Sequence, residues 1–295
     1  MSAYELATYE PAQRADYLRL LDAAWGDLAL TPAEFDWWFG GNPAGSLMSV
    51  AQVKGGVVGV ASHSLFRMAI GGEQAVGGFS VHATTAESAR GQGIFEALER
   101  RHEEEATERG VAVVLAFASK PTAPIFLGPL GWTEIGRVRL WARPFPRFRG
   151  RSRPTGRIER FRHPGDAAAA WPNHIVRDAA YLNWRYVDSP RRYDAFAAAG
   201  SYAVLGHKEH RGRRLAYIAD LVGDARGLLH ACLGAVEADV EAVVAIPPRG
   251  QRAVYASLGF LPTRRTLQLM GKALAGNLDP SRSAWRFTLG DTDFF

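Results

Sequence analysis

A short glycine-rich loop, Arg90-Gly91-Gln92-Gly93-Ile94, constrains this chain more than any other feature, because it joins a predicted strand to a long predicted helix. The strand lies near 76–85, the helix covers about 93–109, and a buried strand follows over 111–118. Glycines let the backbone turn tightly and approach a ligand closely. The free amides and the dipole at a helix N-terminus favour an anion. The arrangement predicts a pyrophosphate site in a mixed α/β fold.

Two other phosphate-binding signatures are absent. The sequence contains neither Gly-x-Gly-x-x-Gly nor Gly-x-x-x-x-Gly-Lys-Ser/Thr. A Gly-x-Gly alone is weak evidence, because an ordinary strand-to-helix turn can use it. The helix after the loop is predicted to pack through Ile94, Phe95, Leu98 and Ala106. Its outer side is predicted to carry Glu99, Arg100, Arg101, Glu103, Glu104 and Glu105.

The order of predicted elements occurs twice. Trp37-x-Phe39 precedes a proline with the spacing that Trp184-x-Tyr186 has, and Leu130-Gly131-Trp132 matches Leu258-Gly259-Phe260. Two matches in the same order favour a tandem duplication. We predict a first domain over 1–145, an Arg/Pro-rich connector over 146–163, a degenerate second copy over 164–274 and a C-terminal tail over 275–295.

Composition excludes several classes of protein. The 295 residues are 47% hydrophobic and 22% charged, as in ordinary globular chains. A single cysteine, Cys232, excludes an intramolecular disulfide, and no His/Asp/Glu spacing predicts a metal site. The longest clean apolar run, Val111–Ala118, is too short to span a bilayer, so we expect a cytoplasmic protein without a membrane partner. The net charge of +5 suits a phosphorylated small ligand, and nucleic acid is not expected.

The loop resembles a known family. Arg90-Gly91-Gln92-Gly93-Ile94 is similar to motif A of the GNAT N-acyltransferases, Arg/Gln-x-x-Gly-x-Gly/Ala, and Leu130-Gly131-Trp132 resembles the end of their motif B. The resemblance implies tandem GNAT folds, with acetyl-CoA or another acyl-CoA bound by the first copy. Pantetheine would lie along the strand at His82, Ala83, Thr84 and Thr85. The phosphates would meet Arg90, Gly91, Gln92, Gly93, Ile94 and Phe95.

The resemblance also implies catalytic roles. His82 is the candidate base, because its reference pKa is near neutral and it stands where the acyl group would sit. Ser119, after the 111–118 strand, is a candidate cofactor contact and proton donor. The usual tyrosine acid is replaced by Leu127, and no tyrosine occurs from residue 18 to 180. The second copy carries such a tyrosine, Tyr255, but lacks the phosphate loop.

The C-terminus supplies negative charge. Asp291, Asp293 and the carboxylate of Phe295 together suit a cationic amine. By analogy with tandem GNAT aminoglycoside acetyltransferases, Phe295 is a candidate catalytic group, and Asp291 and Asp293 are candidate substrate contacts. Alternatively, the terminal phenylalanines cover an edge of the core.

These features predict transfer of an acetyl or other short acyl group from acyl-CoA to a primary amine. The acceptor would be a small molecule, an amino sugar or a peptide. Two alternatives stay open: an acyl-CoA sensor without catalysis, favoured by the missing tyrosine, and a Fem-like aminoacyl transferase. The resemblance also allows a homodimer.

Overall fold

The computed structural model describes residues 4–144, 156–162, 171–198, 200–210, 212–275 and 285–293. Contacts divide the described chain into two compact units. The first unit contains 4–68, 73–136 and 268–275, and the second contains 69–72, the described part of 137–267, and 285–293. Much of the predicted connector, at 146–155 and 163, and part of the predicted tail, including Phe295, lie outside the described residues.

The first unit is a mixed sheet covered by helices. Its strands lie in the order β1-β2-β3-β4-β5-β13, and β4 and β5 are parallel. The strands are β1 (Glu5–Thr8), β2 (Ser46–Val53), β3 (Gly56–Ile70), β4 (Glu73–Thr85) and β5 (Val113–Ala118), together with the part of β13 (Leu261–Ala273) from residue 268 onward. The helices are α1 (Arg14–Trp25), α2 (Pro32–Phe35), α3 (Ile94–Glu108) and α4 (Ala123–Leu127).

A strand from late in the chain completes the sheet of the first unit. Gln268–Ala273 of β13 pairs antiparallel with β5 over Val113–Ala118. Lys272 there donates to the carboxylate of Glu103 on α3 at 2.5 Å and to the carbonyl of Leu130 at 3.0 Å. The late strand is therefore fixed to α3 as well as to β5.

The second unit is also a mixed sheet with helices. Its strands lie in the order β6-β12-β11-β10-β9-β7, with β11 and β12 parallel. The strands are β6 (Thr133–Pro144), β7 (Gly156–Arg157), β8 (Asn173–Ile175), β9 (Tyr193–Ala198), β10 (Ser201–His210), β11 (Arg213–Val222), β12 (Ala242–Ala245) and β14 (Trp285–Arg286). The helices are α5 (Ala179–Leu182), α6 (Ala225–Ala235) and α7 (Arg252–Ser257).

The Trp-x-aromatic segments have the same local structure in both units. In each unit a four-residue α-helix, α2 or α5, continues directly into a five-residue π-helix, Asp36–Gly40 or Asn183–Val187. Thr31 and Asp178 cap the two α-helices with their side chains. Both π-helices bury their aromatic side chains. The rarity of π-helices makes this recurrence informative.

The predicted outer side of α3 is wrong at two positions. Glu99 is fully buried, and Glu103 is 8% exposed. Glu99 bonds to side chains of β3 and β4, while Glu103 accepts from Trp132 Nε1 at 2.6 Å and from Lys272. Each buried carboxylate therefore has polar partners that offset its desolvation.

Candidate active site

The glycine loop leaves the N-terminus of α3 open. Gly91 and Gly93 have φ of +76° and +75°, which glycine adopts without steric strain. A Cβ built on either residue meets no atom within 4 Å. Gly93 is the N-cap of α3, and no side chain forms a capping hydrogen bond there. The first amides of α3, beginning at Ile94, are thus oriented to bind an anion.

The side chains around the loop leave this surface accessible. Arg90 and Gln92 are exposed, and Arg90 Nε donates to the carbonyl of Thr85 at 3.4 Å. Phe95 turns its ring into the fold, where it packs edge-on against Phe126 with centroids 5.6 Å apart. Phe95 therefore lies on the packed side of α3, as the sequence predicts.

The strands that flank the loop stop pairing partway along their length. The parallel ladder between β4 and β5 joins Gly77–Phe79 to Val113–Leu115. Beyond it, β4 continues to Thr85 and β5 to Ala118. The backbone of β4 after Phe79 can therefore bind an extended ligand beside the loop.

His82 marks a distortion in this part of β4. Its φ is +50°, a left-handed value that is uncommon for residues other than glycine, although histidine is enriched there. The side chain is 8% exposed. Its ring meets Trp25, Trp38 and Phe39 edge-on, with centroids 6.0, 5.8 and 5.9 Å away. Three aromatic rings therefore fix the imidazole beside the open stretch of β4.

In the described part of the second unit, the corresponding helix N-terminus is closed. Gly223 and Asp224 alone separate β11 from α6, and the Asp224 carboxylate accepts from the amide of Arg226 at 3.2 Å. A negative charge thus already caps that helix. Along β11, the Arg286 guanidinium donates to the carbonyl of Leu221 at 2.5 Å, so the C-terminal segment covers the strand.

The family comparison agrees with this geometry. Residues 6–135 match the acetyltransferase (GNAT) domain family. This segment is a GNAT domain. It contains the glycine loop, β4, α3 and β5, so the predicted relationship to the GNAT superfamily is confirmed.

Solved structures extend the likeness of fold beyond the GNAT domain. Yeast (Saccharomyces cerevisiae) N-myristoyltransferase, with bound myristoyl-CoA and inhibitors, matches with a TM-score of 0.69 and 11% identity, over 92% of this chain and 80% of that chain. A probable N-acyltransferase from Enterococcus faecalis matches with a TM-score of 0.66 and 10% identity, over 92% and 73%. Eis1 from Mycobacterium abscessus matches with a TM-score of 0.60 and 16% identity, over 92% and 73%. No curated protein matches the sequence. The predicted mixed α/β GNAT fold is confirmed.

The GNAT domain brings most of the predicted site residues to one region. His82, Ala83, Thr84 and Thr85 follow the last pair of β4 with β5, and Arg90–Phe95 form the loop and first turn of α3. Ser119 is exposed just after β5, and its hydroxyl lies 2.9 Å from that of Thr122. Leu127, in place of the usual tyrosine, is 44% exposed. Tyr255 is buried in the core of the second unit, and burial raises the pKa of its phenol.

The C-terminal candidates have a different setting. Asp291 is 5% exposed, and both carboxylate oxygens accept from Arg177 Nη2 at 2.7 Å. Tyr181 also donates to this carboxylate, at 3.1 Å. Asp293 is half-buried, and Phe295 lies outside the described residues. The charge of Asp291 is therefore already paired within its own unit.

Sequence reasoning missed a buried polar cluster beneath α3. His63 of β3 and Ser80 of β4 bond to Glu99 of α3, and the ring of His102 lies 4.8 Å from that of His63. Burial, helped by His63 and Arg101, holds the pKa of His102 well below its usual value. Its two ring nitrogens are buried and have no hydrogen-bond partner. The only sequence signal is the spacing of Glu99 and His102, which places them on one side of the helix.

The described chain contains neither a side-chain cluster suited to a metal ion nor a helix suited to span a membrane. Its His, Cys, Asp and Glu side chains include no group of three or more that could hold a metal ion. None of its helices is both long and apolar enough to cross a membrane.

Proposed function

We propose that this protein transfers a short acyl group, acetyl in the simplest case, from acyl-CoA to a primary amine. The observation that carries the proposal is the uncapped N-terminus of α3, which follows Gly91 and Gly93 beside the open stretch of β4. The amides of the first turn would bind the pyrophosphate, with Arg90 adding positive charge. Acyl-CoA is bound in this way by the GNAT family that the loop resembles.

The proposed reaction is direct attack by the amine. The amine nitrogen forms a bond to the thioester carbonyl carbon, and the carbon–sulfur bond then breaks. His82, directly or through water, accepts the proton that the amine loses. Backbone N–H groups at the distortion of β4 stabilise the negative charge that develops on the carbonyl oxygen. The Ser119 hydroxyl donates a hydrogen bond to the departing thiolate, with Thr122 as its partner.

A groove beside α1 is the proposed binding place of the amine. The groove has a volume of about 630 Å³, and its charged lining residues are Arg19, Asp22 and Asp27. Trp25, at the end of α1, connects this segment to the ring of His82. Arg19 is paired with Asp16, so the carboxylates of Asp22 and Asp27 leave the groove negative and favour a cationic acceptor, such as an amino sugar or a peptide amine.

The second copy is proposed to be a degenerate GNAT domain without catalytic activity. The recurring helix and π-helix pairs and the parallel β11–β12 pair support the duplication. The cap by Asp224 and the contact of Arg286 with Leu221 support the loss of its acyl-CoA site.

Thiol release tests the proposed reaction. The protein is incubated with acyl-CoAs from acetyl to myristoyl and a panel of small amines, amino sugars and peptides. The proposal predicts amine-dependent release of CoA, fastest with a short acyl chain. Binding of acyl-CoA without release under any condition would contradict it and favour the sensor, which the exposed Leu127 supports.

A further inference from the structure

The backbone at His82 requires support from its surroundings. A left-handed residue other than glycine costs free energy, and it persists where neighbouring contacts over-determine it. The φ of His82 is +50°. The preceding residue, Val81, accepts a hydrogen bond from the Ser62 hydroxyl at 2.8 Å through its carbonyl. One step earlier, the Ser80 hydroxyl donates to Oε1 of Glu99 at 2.7 Å.

Glu99 connects three elements through one carboxylate. Its Oε1 accepts from Ser80 of β4, and its Oε2 lies 2.8 Å from Nε2 of His63 on β3. The carboxylate itself projects from α3 and is fully buried. The folded state is destabilised when a buried carboxylate loses a hydrogen-bond partner. Each of these bonds therefore restricts the position of α3 relative to β3 or β4.

These contacts link the two halves of the candidate site. The loop that would bind pyrophosphate is continuous with α3, and the distorted backbone at His82 belongs to β4. We propose that Glu99 is a positioning residue for acyl transfer, acting through Ser80 and with His63. It holds the backbone at His82 in place relative to the loop at the start of α3. The inference rests on the proposed function, because it assigns Glu99 to that same site.

Removal of the Ser80 hydroxyl is the most direct test. Ser80→Ala deletes the bond to Glu99, and Ser49→Ala is the matched control, because Ser49 is buried in β2 and its hydroxyl has no hydrogen-bond partner. We expect kcat to fall about tenfold in Ser80→Ala, with the dissociation constant of acyl-CoA unchanged. The control should retain both values. Equal kcat in the two variants would overturn the proposal.

Substitution of Glu99 separates positioning from filling of the core. In Glu99→Gln the side-chain oxygen still accepts from Ser80, and the amide donates to the ring nitrogen of His63. We expect Glu99→Gln to keep kcat within about threefold of the wild type, and Glu99→Ala to lose at least tenfold. A Gln variant as slow as the Ala variant would contradict positioning through these hydrogen bonds.

Amide hydrogen exchange distinguishes failure of this inference from failure of the proposed function. Faster exchange at 81–86 in Ser80→Ala, and not in Ser49→Ala, is expected if the cluster holds β4. If the wild type transfers no acyl group to any amine, the proposed function fails. Amide hydrogen exchange at 81–86 then still tests whether Glu99 and Ser80 hold β4 in place. Unchanged exchange in Ser80→Ala would overturn the positioning role as well.

Discussion

Gly93 and Asp224 are the N-caps of the helices that follow β4 and β11, and only Asp224 caps its helix with its side chain. The carboxylate of Asp224 provides the negative charge that favours a helix N-terminus. At Gly93 no side chain takes that place, so the first amides of α3 can bind an external anion. This difference is the basis on which we propose that the acyl-CoA site lies in the first unit.

Asp224→Ala should therefore affect stability alone. Loss of an N-cap side chain costs about 1 kcal/mol of the free energy of unfolding. We expect the dissociation constant of acyl-CoA to stay unchanged. Urea unfolding and calorimetric titration measure the two quantities. A loss of acyl-CoA binding in this variant would place the site in the second unit.

His82→Asn tests the proposed base. Asparagine is enriched at left-handed backbone positions, so the distortion of β4 should persist while the imidazole is lost. We expect kcat to fall about 100-fold, the lower end of what a general base contributes. Unchanged kcat would exclude His82 as the base.

The groove beside α1 leads to a prediction about the acceptor. In a double variant, Asp22→Asn with Asp27→Asn, we expect a several-fold higher KM for a cationic amine and an unchanged KM for acyl-CoA. Glu105→Gln is the control, since Glu105 pairs with Arg109 on α3 at 2.6 Å and does not line the groove. Steady-state kinetics with each substrate varied in turn measures both constants. An equal rise in the control would show a nonspecific effect of charge.

The buried neutral His102 predicts a pH-dependent stability. Its pKa is lowered in the folded state, so below about pH 6.5 the unfolded chain binds a proton that the folded chain does not. The wild type should thus lose about 1.4 kcal/mol from this residue between pH 7.5 and 5.5. His102→Leu should lack this part of the loss, because leucine does not titrate. Identical slopes of unfolding free energy against pH in the wild type and in His102→Leu would contradict this prediction.

Local sequence signals predicted the loop region well. The glycines, the buried strand over Val113–Ala118 and the long helix after Gly93 are specified by neighbouring residues, and each occurs close to its predicted place. The proposed phosphate site depends on the same local pattern. The packing of Trp37 and Trp184 also follows from their aromatic character.

Contacts between distant residues were beyond the sequence patterns. The charged residues around Glu99 predict an outer face, and its partners Ser80 and His63 are contributed by two strands elsewhere in the chain. The addition of 268–273 to the sheet of the first unit depends on pairing with β5, more than 140 residues away. The partner of Asp291 is likewise a distant arginine, Arg177. Periodicity reports which face of an element is apolar, and it does not report which polar side chains meet across the core.

Binding of acyl-CoA to the glycine loop is the central claim, and thermal unfolding tests it most directly. Wild type, Gly93→Glu and Gly110→Glu are compared with and without acyl-CoA. The two glycines lie at opposite ends of α3, with φ of +75° and +71° and open space around each, so both variants carry similar strain. At about 100 times its dissociation constant, acyl-CoA should stabilise the wild type by about 2.7 kcal/mol. The account predicts that Gly110→Glu keeps this stabilisation and Gly93→Glu loses it. Equal stabilisation of both variants, or none in the wild type with any acyl-CoA, would contradict it.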